Sequence, residues 1–99
     1  MQNMVMTILE ATVDEDQWQT LRDVYARETK VLDPGIVQTL LVQNSREPKL
    51  WRIITLWESR AALDEMRQSN QTPRGVLMFR EANAEPSLTI FHVAASAQA

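Results

Sequence analysis

The sequence contains no cysteine. That removes disulfides, thiolate nucleophiles and cysteine-based zinc sites from consideration. Its one histidine, His92, leaves no histidine pair to hold a metal. Only two of the 99 residues are glycine, so there is no Gly-rich loop to cradle a nucleotide phosphate. No apolar run approaches the roughly 18 residues of a membrane span. The opening residues MQNMVMTILEATVDED lack a basic stretch and turn acidic early, unlike a secretory signal. Ten Lys and Arg against thirteen Asp and Glu give a net charge of -3, and the basic residues are scattered. A surface that tracks nucleic-acid phosphates needs the opposite balance. The expectations are a cytoplasmic protein with no metal, no tightly bound cofactor, and neither nucleic acid nor membrane as partner. The length suits a single domain over residues 1–99, with a core over about 4–93 and a flexible tail at 94–99. It is far short of the roughly 250 residues of a TIM barrel.

What is present is a clear alternation of elements. Residues 4–12 are rich in β-branched and large apolar side chains and read as a strand. Asp14 is placed to cap a helix, with Gln17 at the capping-box position and Val13 and Trp18 placed as a hydrophobic staple. Trp18, Leu21, Val24, Tyr25 and Val31 recur at helical spacing over 15–31. Asp33-Pro34-Gly35 is a turn signal. Residues 35–43 and 50–58 read as two strands joined by a polar connector of hairpin length. Ser59 caps a short helix carrying Ala62, Leu63 and Met66, which breaks over Gln68–Gln71. Thr72 and Pro73 restart a helix that runs to about Asn83. Residues 87–93 are a fourth strand. Asn70-Gln71-Thr72 matches a glycosylation sequon, without meaning in an unsecreted chain. The order β-α-β-β-α-β predicts an α+β, ferredoxin-like fold: a four-stranded antiparallel sheet with helices on one face.

The strands do not alternate as strands with one wet face should. Met4, Met6 and Ile8 oppose Val5 and Leu9. Ile36, Leu40 and Val42 oppose Val37 and Leu41. Trp51, Ile53 and Trp57 oppose Leu50, Ile54 and Leu56. Both faces call for cover, and the helices supply only one. A second copy of the sheet is the simplest cover, which predicts a homodimer. The competing reading is that Thr7, Gln38, Thr39, Arg52 and Thr55 make one face wet.

The run Leu56-Trp57-Glu58-Ser59, followed by Ala61-Ala62-Leu63 and Ser69, resembles the antibiotic biosynthesis monooxygenase (ABM) family, and the resemblance extends over roughly residues 4–93. It implies a small dimeric α/β barrel. It also implies one of three roles: oxygenation of aromatic polyketide or quinol substrates without metal or flavin, oxidative cleavage of haem, or no established chemistry. Haem-degrading relatives carry an asparagine near Leu9, a tryptophan at Met66 and a histidine near Val76. All three are absent, which implies no haem oxygenase activity. Quinol-type oxygenases carry an asparagine at Ile53, a tryptophan at Trp57 and a tyrosine at Leu63, and only Trp57 matches.

Two residues are candidates for catalysis. Trp57 can stack an aromatic substrate and donate its indole N–H, or it can be a core tryptophan bonded to a backbone acceptor. His92, the one histidine, can serve as general base, or it can be an edge-strand residue. Tyr25, Ile53, Thr55 and Met66 are candidates for substrate contact. Met4, Met6 and Met78 can join Met66 in an adaptable apolar pocket, or simply fill gaps. Arg52 can hold an oxyanion or pair with an acid. Two functions from different classes follow. One is a cofactor-independent monooxygenase acting on a small aromatic or quinone-type compound. The other is a non-catalytic dimeric barrel that binds a small ligand or a partner. Polar groups converging on an apolar cavity beside Trp57 would favour the first.

Overall fold

The computed structural model describes residues 3–69 and 72–99. Strand β1 (Val5–Thr12) leads through a 3-10 turn (Glu15–Gln17) into helix α1 (Trp18–Glu28). Strands β2 (Ile36–Gln43) and β3 (Leu50–Trp57) form a hairpin. Helices α2 (Arg60–Ser69) and α3 (Arg74–Glu81) precede strand β4 (Ser87–His92). The sheet order is β2-β3-β1-β4 with every neighbouring pair antiparallel, the expected ferredoxin-like arrangement.

The local signals act with some changes. Asp14 stands at the entry to the 3-10 turn, but its side chain makes no cap, and the Gln17 amide bonds the Asp14 carbonyl instead. The staple pair does meet: Val13 is fully buried and the Trp18 indole N–H donates to its carbonyl at 2.9 Å. Helix α1 stops at Glu28, where Thr29 returns its amide and hydroxyl to the Tyr25 carbonyl. Val31 therefore leaves the predicted stripe and is 74% exposed. Ser59 caps α2 as expected, its hydroxyl accepting from the Ala62 amide at 3.1 Å. Gln68 and Ser69 remain helical; Asn70 and Gln71, which carry the rest of the expected break and the sequon, lie outside the described residues. Pro73 sits one position earlier than predicted, at the N-cap of α3. Asn83, at φ 58, closes α3 with the Ala84 amide bonded back to the Phe79 carbonyl, a Schellman-type stop.

The register sorts the side chains. Val5, Thr7, Leu9 and Ala11 of β1 share the helix-covered face with Trp51, Ile53, Thr55 and Trp57 of β3. A bulge between Ile36 and Gln38 shifts the phase of β2, so Ile36 joins this covered face rather than the side of Leu40 and Val42. Rows run across the sheet: Ile36–Trp57–Val5, then Thr39–Thr55–Thr7, then Leu41–Ile53–Leu9. The core is correspondingly in two parts. One packs α1 and α3 over Leu9, Ala11, Trp51 and Ile53, with Leu21 and Phe79 fully buried. The other packs Leu63 of α2 against Val5 and Trp57.

Among the described residues, no helix covers the opposite face. Its rows are Phe91–Met6–Leu56–Gln38 and Thr89–Ile8–Ile54–Leu40, then Ser87–Glu10–Arg52–Val42. Arg52 pairs with Glu10, its cross-strand neighbour, at 3.0 Å. The five residues that could have made one wet face divide between the two: the three threonines lie under the helices, and Gln38 and Arg52 lie on the open side.

Gly35 fixes how the β2 lead-in meets α2. Its φ is +91°, and a Cβ there would lie 2.5 Å from the Ala62 Cβ. Gly35→Ala should therefore cost about 1–3 kcal/mol from the left-handed backbone and the clash together. A double-mutant cycle with Ala62→Gly, read by urea unfolding, should recover the part due to the clash. Strict additivity would show that the contact does not matter.

Candidate functional site

The threonine row lies between the two parts of the core, and a cavity opens above it. The cavity has a volume of about 80 Å³, several times the roughly 10–15 Å³ needed for one water. Its floor is Thr7, Thr39 and Thr55, flanked by Leu9 and Ile53 on one side and by Ile36 and Trp57 on the other. Leu63 and Met66 of α2 and Gly75 and Met78 of α3 close over it. Leu32 and Leu88, both more than two-fifths exposed, stand at the mouth. Gly75 matters for this approach: a Cβ at that position would come within 2.6 Å of Leu9 Cδ1, so α3 begins directly on the strand.

The floor is hydrogen-bonded. The Trp57 indole N–H donates to the Thr7 hydroxyl at 3.1 Å, with both residues buried. The Thr39 and Thr55 hydroxyls are 3.3 Å apart, and the Tyr25 hydroxyl donates to Thr39, also at 3.3 Å. The Trp57 donor thus ends on a side-chain hydroxyl, neither free for a ligand nor on the backbone acceptor considered from sequence.

Arg74 braces the mouth. Its guanidinium donates to the carbonyls of Glu28 and, at 2.8 Å, Val31, and it lies 3.5 Å from the Asp33 carboxylate. One side chain therefore ties the start of α3 to the end of α1 and to the lead-in of β2. Arg67, on α2 at the same mouth, makes no ion pair among the described residues. Elsewhere, a hydrogen bond from Arg80 holds the exposed Glu85 carboxyl below its ordinary value, and Arg27 is raised first by Glu28 and then by Glu81. Of these groups only Glu28 lines the cavity.

Of the residues proposed from sequence, Ile53, Thr55, Trp57 and Met66 line the cavity together. Tyr25 does not line it and reaches it through Thr39. Met78 joins Met66, whereas Met6 is on the open sheet face and Met4 is not a lining residue. His92 is exposed on β4, opposite Val5, and is not brought to the cavity. Sequence reasoning missed Thr7 and Thr39 as floor residues and Arg74 as brace. The hairpin did hold a signal for Thr39, since β2–β3 partners beyond the bulge keep a constant sum of residue numbers, set by the Asn44–Leu50 closure.

The model of the antibiotic biosynthesis monooxygenase family matches residues 4–76, most of the chain. The chain belongs to this family. No curated protein matches it in sequence. Among solved structures, a haem-degrading protein of Mycobacterium tuberculosis is similar with a TM-score of 0.75 and 19% identity, covering 100% of each chain. SnoaB, a cofactor-independent oxygenase of Streptomyces nogalater, has a TM-score of 0.71 and 16% identity, covering 95% of this chain and 96% of its own. A conserved protein of Methanosarcina mazei has a TM-score of 0.70 and 14% identity, covering 91% and 92%. At these identities the likeness is one of fold. This ABM chain shares its architecture with neighbours of different described chemistry, so its own side chains must carry any functional argument.

Removing the brace tests how the cavity is held. Arg74→Met keeps much of the aliphatic stem and removes the charged donors. It should lower stability by about 1–3 kcal/mol and speed amide exchange through Val31–Gly35. Unchanged exchange in that loop would show that Arg74 does not hold it.

Proposed function

We propose that this ABM-family protein is a cofactor-independent monooxygenase acting on a small aromatic or quinone-type compound held beside Trp57. The observation that carries the reading is the hydroxyl-bearing floor of an otherwise largely apolar cavity. Leu, Ile and Met can grip a flat apolar ring, and the threonines can fix which way its oxygen points. A ring that ionises to a phenolate or enolate can itself reduce O₂. Conversion of a ring CH₂ to C=O by O₂, with the second oxygen atom leaving as water, balances without an external reductant. The protein's part is then to position the ring and exclude water, and positioning alone is worth up to about 7–11 kcal/mol in the best intramolecular cases. The reading needs no metal or flavin and leaves out His92, which is not near the cavity. Trp57 acts in it as a wall and, through its bond to Thr7, as a positioning residue.

The same absence of His92 favours the alternative, a non-catalytic barrel that binds a small ligand. Oxygen uptake with a panel of quinols and anthrones separates the two. Turnover is expected for the wild type. Trp57→Phe, which removes the donor to Thr7, should lower kcat/KM on the order of tenfold, or about 1.4 kcal/mol. No uptake with any member of the panel would favour the binding module.

The reading includes a homodimer joined through the open sheet face. Phe91 and Leu40 are 51% and 46% exposed there, beside Met6, Ile8, Ile54 and Leu56. The exposed area of 6717 Å² exceeds the roughly 5,800 Å² expected for a folded monomer of this mass. The excess is in keeping with a surface that a partner covers. Sedimentation should give twice the mass of one chain. Ile54→Asp, on the open face, should yield a folded monomer, whereas Ile53→Asp, in the core, should abolish folding. A wild-type monomer at micromolar concentration would remove the dimer from the reading.

A further inference from the structure

The hydroxyl hydrogens of the cavity floor can be counted. Thr7 accepts from Trp57, so its oxygen is engaged and its hydrogen is not. Thr39 accepts from Tyr25. The Thr39–Thr55 bond consumes one hydrogen of that pair and leaves the other. Hydrogen bonds strengthen when they run head to tail, which favours the order Tyr25 to Thr39 to Thr55 and leaves the spare hydrogen on Thr55. Thr7 gives its hydrogen to no side chain or backbone group among the described residues, and in the head-to-tail order neither does Thr55. Both are buried, at 9% and 8% exposure, and both line the cavity. They are direct cross-strand partners on β1 and β3, so their backbones are about 4.5–5.5 Å apart. One oxygen above the row can accept from both.

We propose that Thr7 and Thr55 form a two-donor cradle that selects ligands whose buried end is a hydrogen-bond acceptor without a proton, a ring carbonyl or a phenolate oxygen. The proposal rests on the functional reading of the cavity as a ring-binding site. Trp57 and Tyr25 are positioning residues: Trp57 donates to Thr7 and frees its hydrogen for the ligand, and Tyr25 donates to Thr39, which in turn donates to Thr55 and frees the Thr55 hydrogen. Valine in place of either threonine would keep the shape and delete the donor. A hydrocarbon edge would leave two buried hydroxyls without an acceptor, and such groups are costly to strand.

The test uses the full chain and two probes of similar shape, 1,4-naphthoquinone and naphthalene, with affinities measured by calorimetry. Thr7→Val, Thr55→Val and the double variant should each weaken the quinone, the double variant by about tenfold or more. Naphthalene affinity should hold or rise. Thr7→Ser and Thr55→Ser keep the hydroxyl and should keep the preference, which a merely structural role of the threonine methyl would not predict. Should the valine variants fail to fold, infrared spectra of the quinone on the wild type carry the test: one carbonyl stretch should shift down relative to its free position. Loss of naphthalene and quinone binding in equal proportion, or an unshifted carbonyl, would overturn the cradle while leaving the ring-binding cavity in place. Failure of both probes to bind the wild type would overturn the cradle together with the reading on which it rests.

Discussion

A row of three threonine hydroxyls crosses the covered face of the sheet, and the rest of the interior is arranged around it. Hydroxyls cannot be buried against aliphatic helix side chains without partners. Here Trp57 and Tyr25 bond two of them from either end of the row, and Thr55 shares a bond with Thr39. The apolar packing therefore falls into two parts, one on each side. The cavity sits where those parts do not meet.

The helices are held above the row by contacts that leave little freedom. Gly75 lets α3 start against Leu9, and Gly35 lets the β2 lead-in pass Ala62. Arg74 then joins α3, the end of α1 and that lead-in with one guanidinium. The exposed ion pairs, such as Arg27–Glu81 and Arg80–Glu85, contribute little by comparison. A mouth fixed by a charged group bonded to backbone carbonyls is better defined than one built from surface pairs. Three further charged residues, Glu28, Asp33 and Arg67, also line the cavity.

The two faces of the sheet divide the labour. The covered face provides the cavity, and its wall residue Trp57 comes from the same strand as Ile54 on the open side. The Glu10–Arg52 pair marks the polar margin of the open face, beyond which its two apolar rows remain uncovered by the described residues. One sheet thus carries a cavity on one face and exposed apolar side chains on the other, an economy available because strand side chains alternate.

The sequence by itself determined the element order, the turns at Asp33–Gly35 and Asn44–Lys49, and the need for cover on both faces. These follow from local pattern: β-branched runs, a capping serine, and a proline at a helix start. It also pointed to Trp57, Ile53, Thr55 and Met66, because strand alternation and helix spacing place them on inward faces. Only the tertiary structure decided which residues stand beside one another. The bulge at the start of β2 moved Ile36 to the covered face, and the pairing of β1 with β3 brought Thr7 to Thr55 across nearly fifty residues. No local signal fixes such a register, because it depends on how the long β-α-β connections close. Read singly, the three threonines are polar residues in apolar strands. Aligned by the sheet, they become the floor of the cavity, while His92, the residue whose intrinsic chemistry first suggests catalysis, is left outside it.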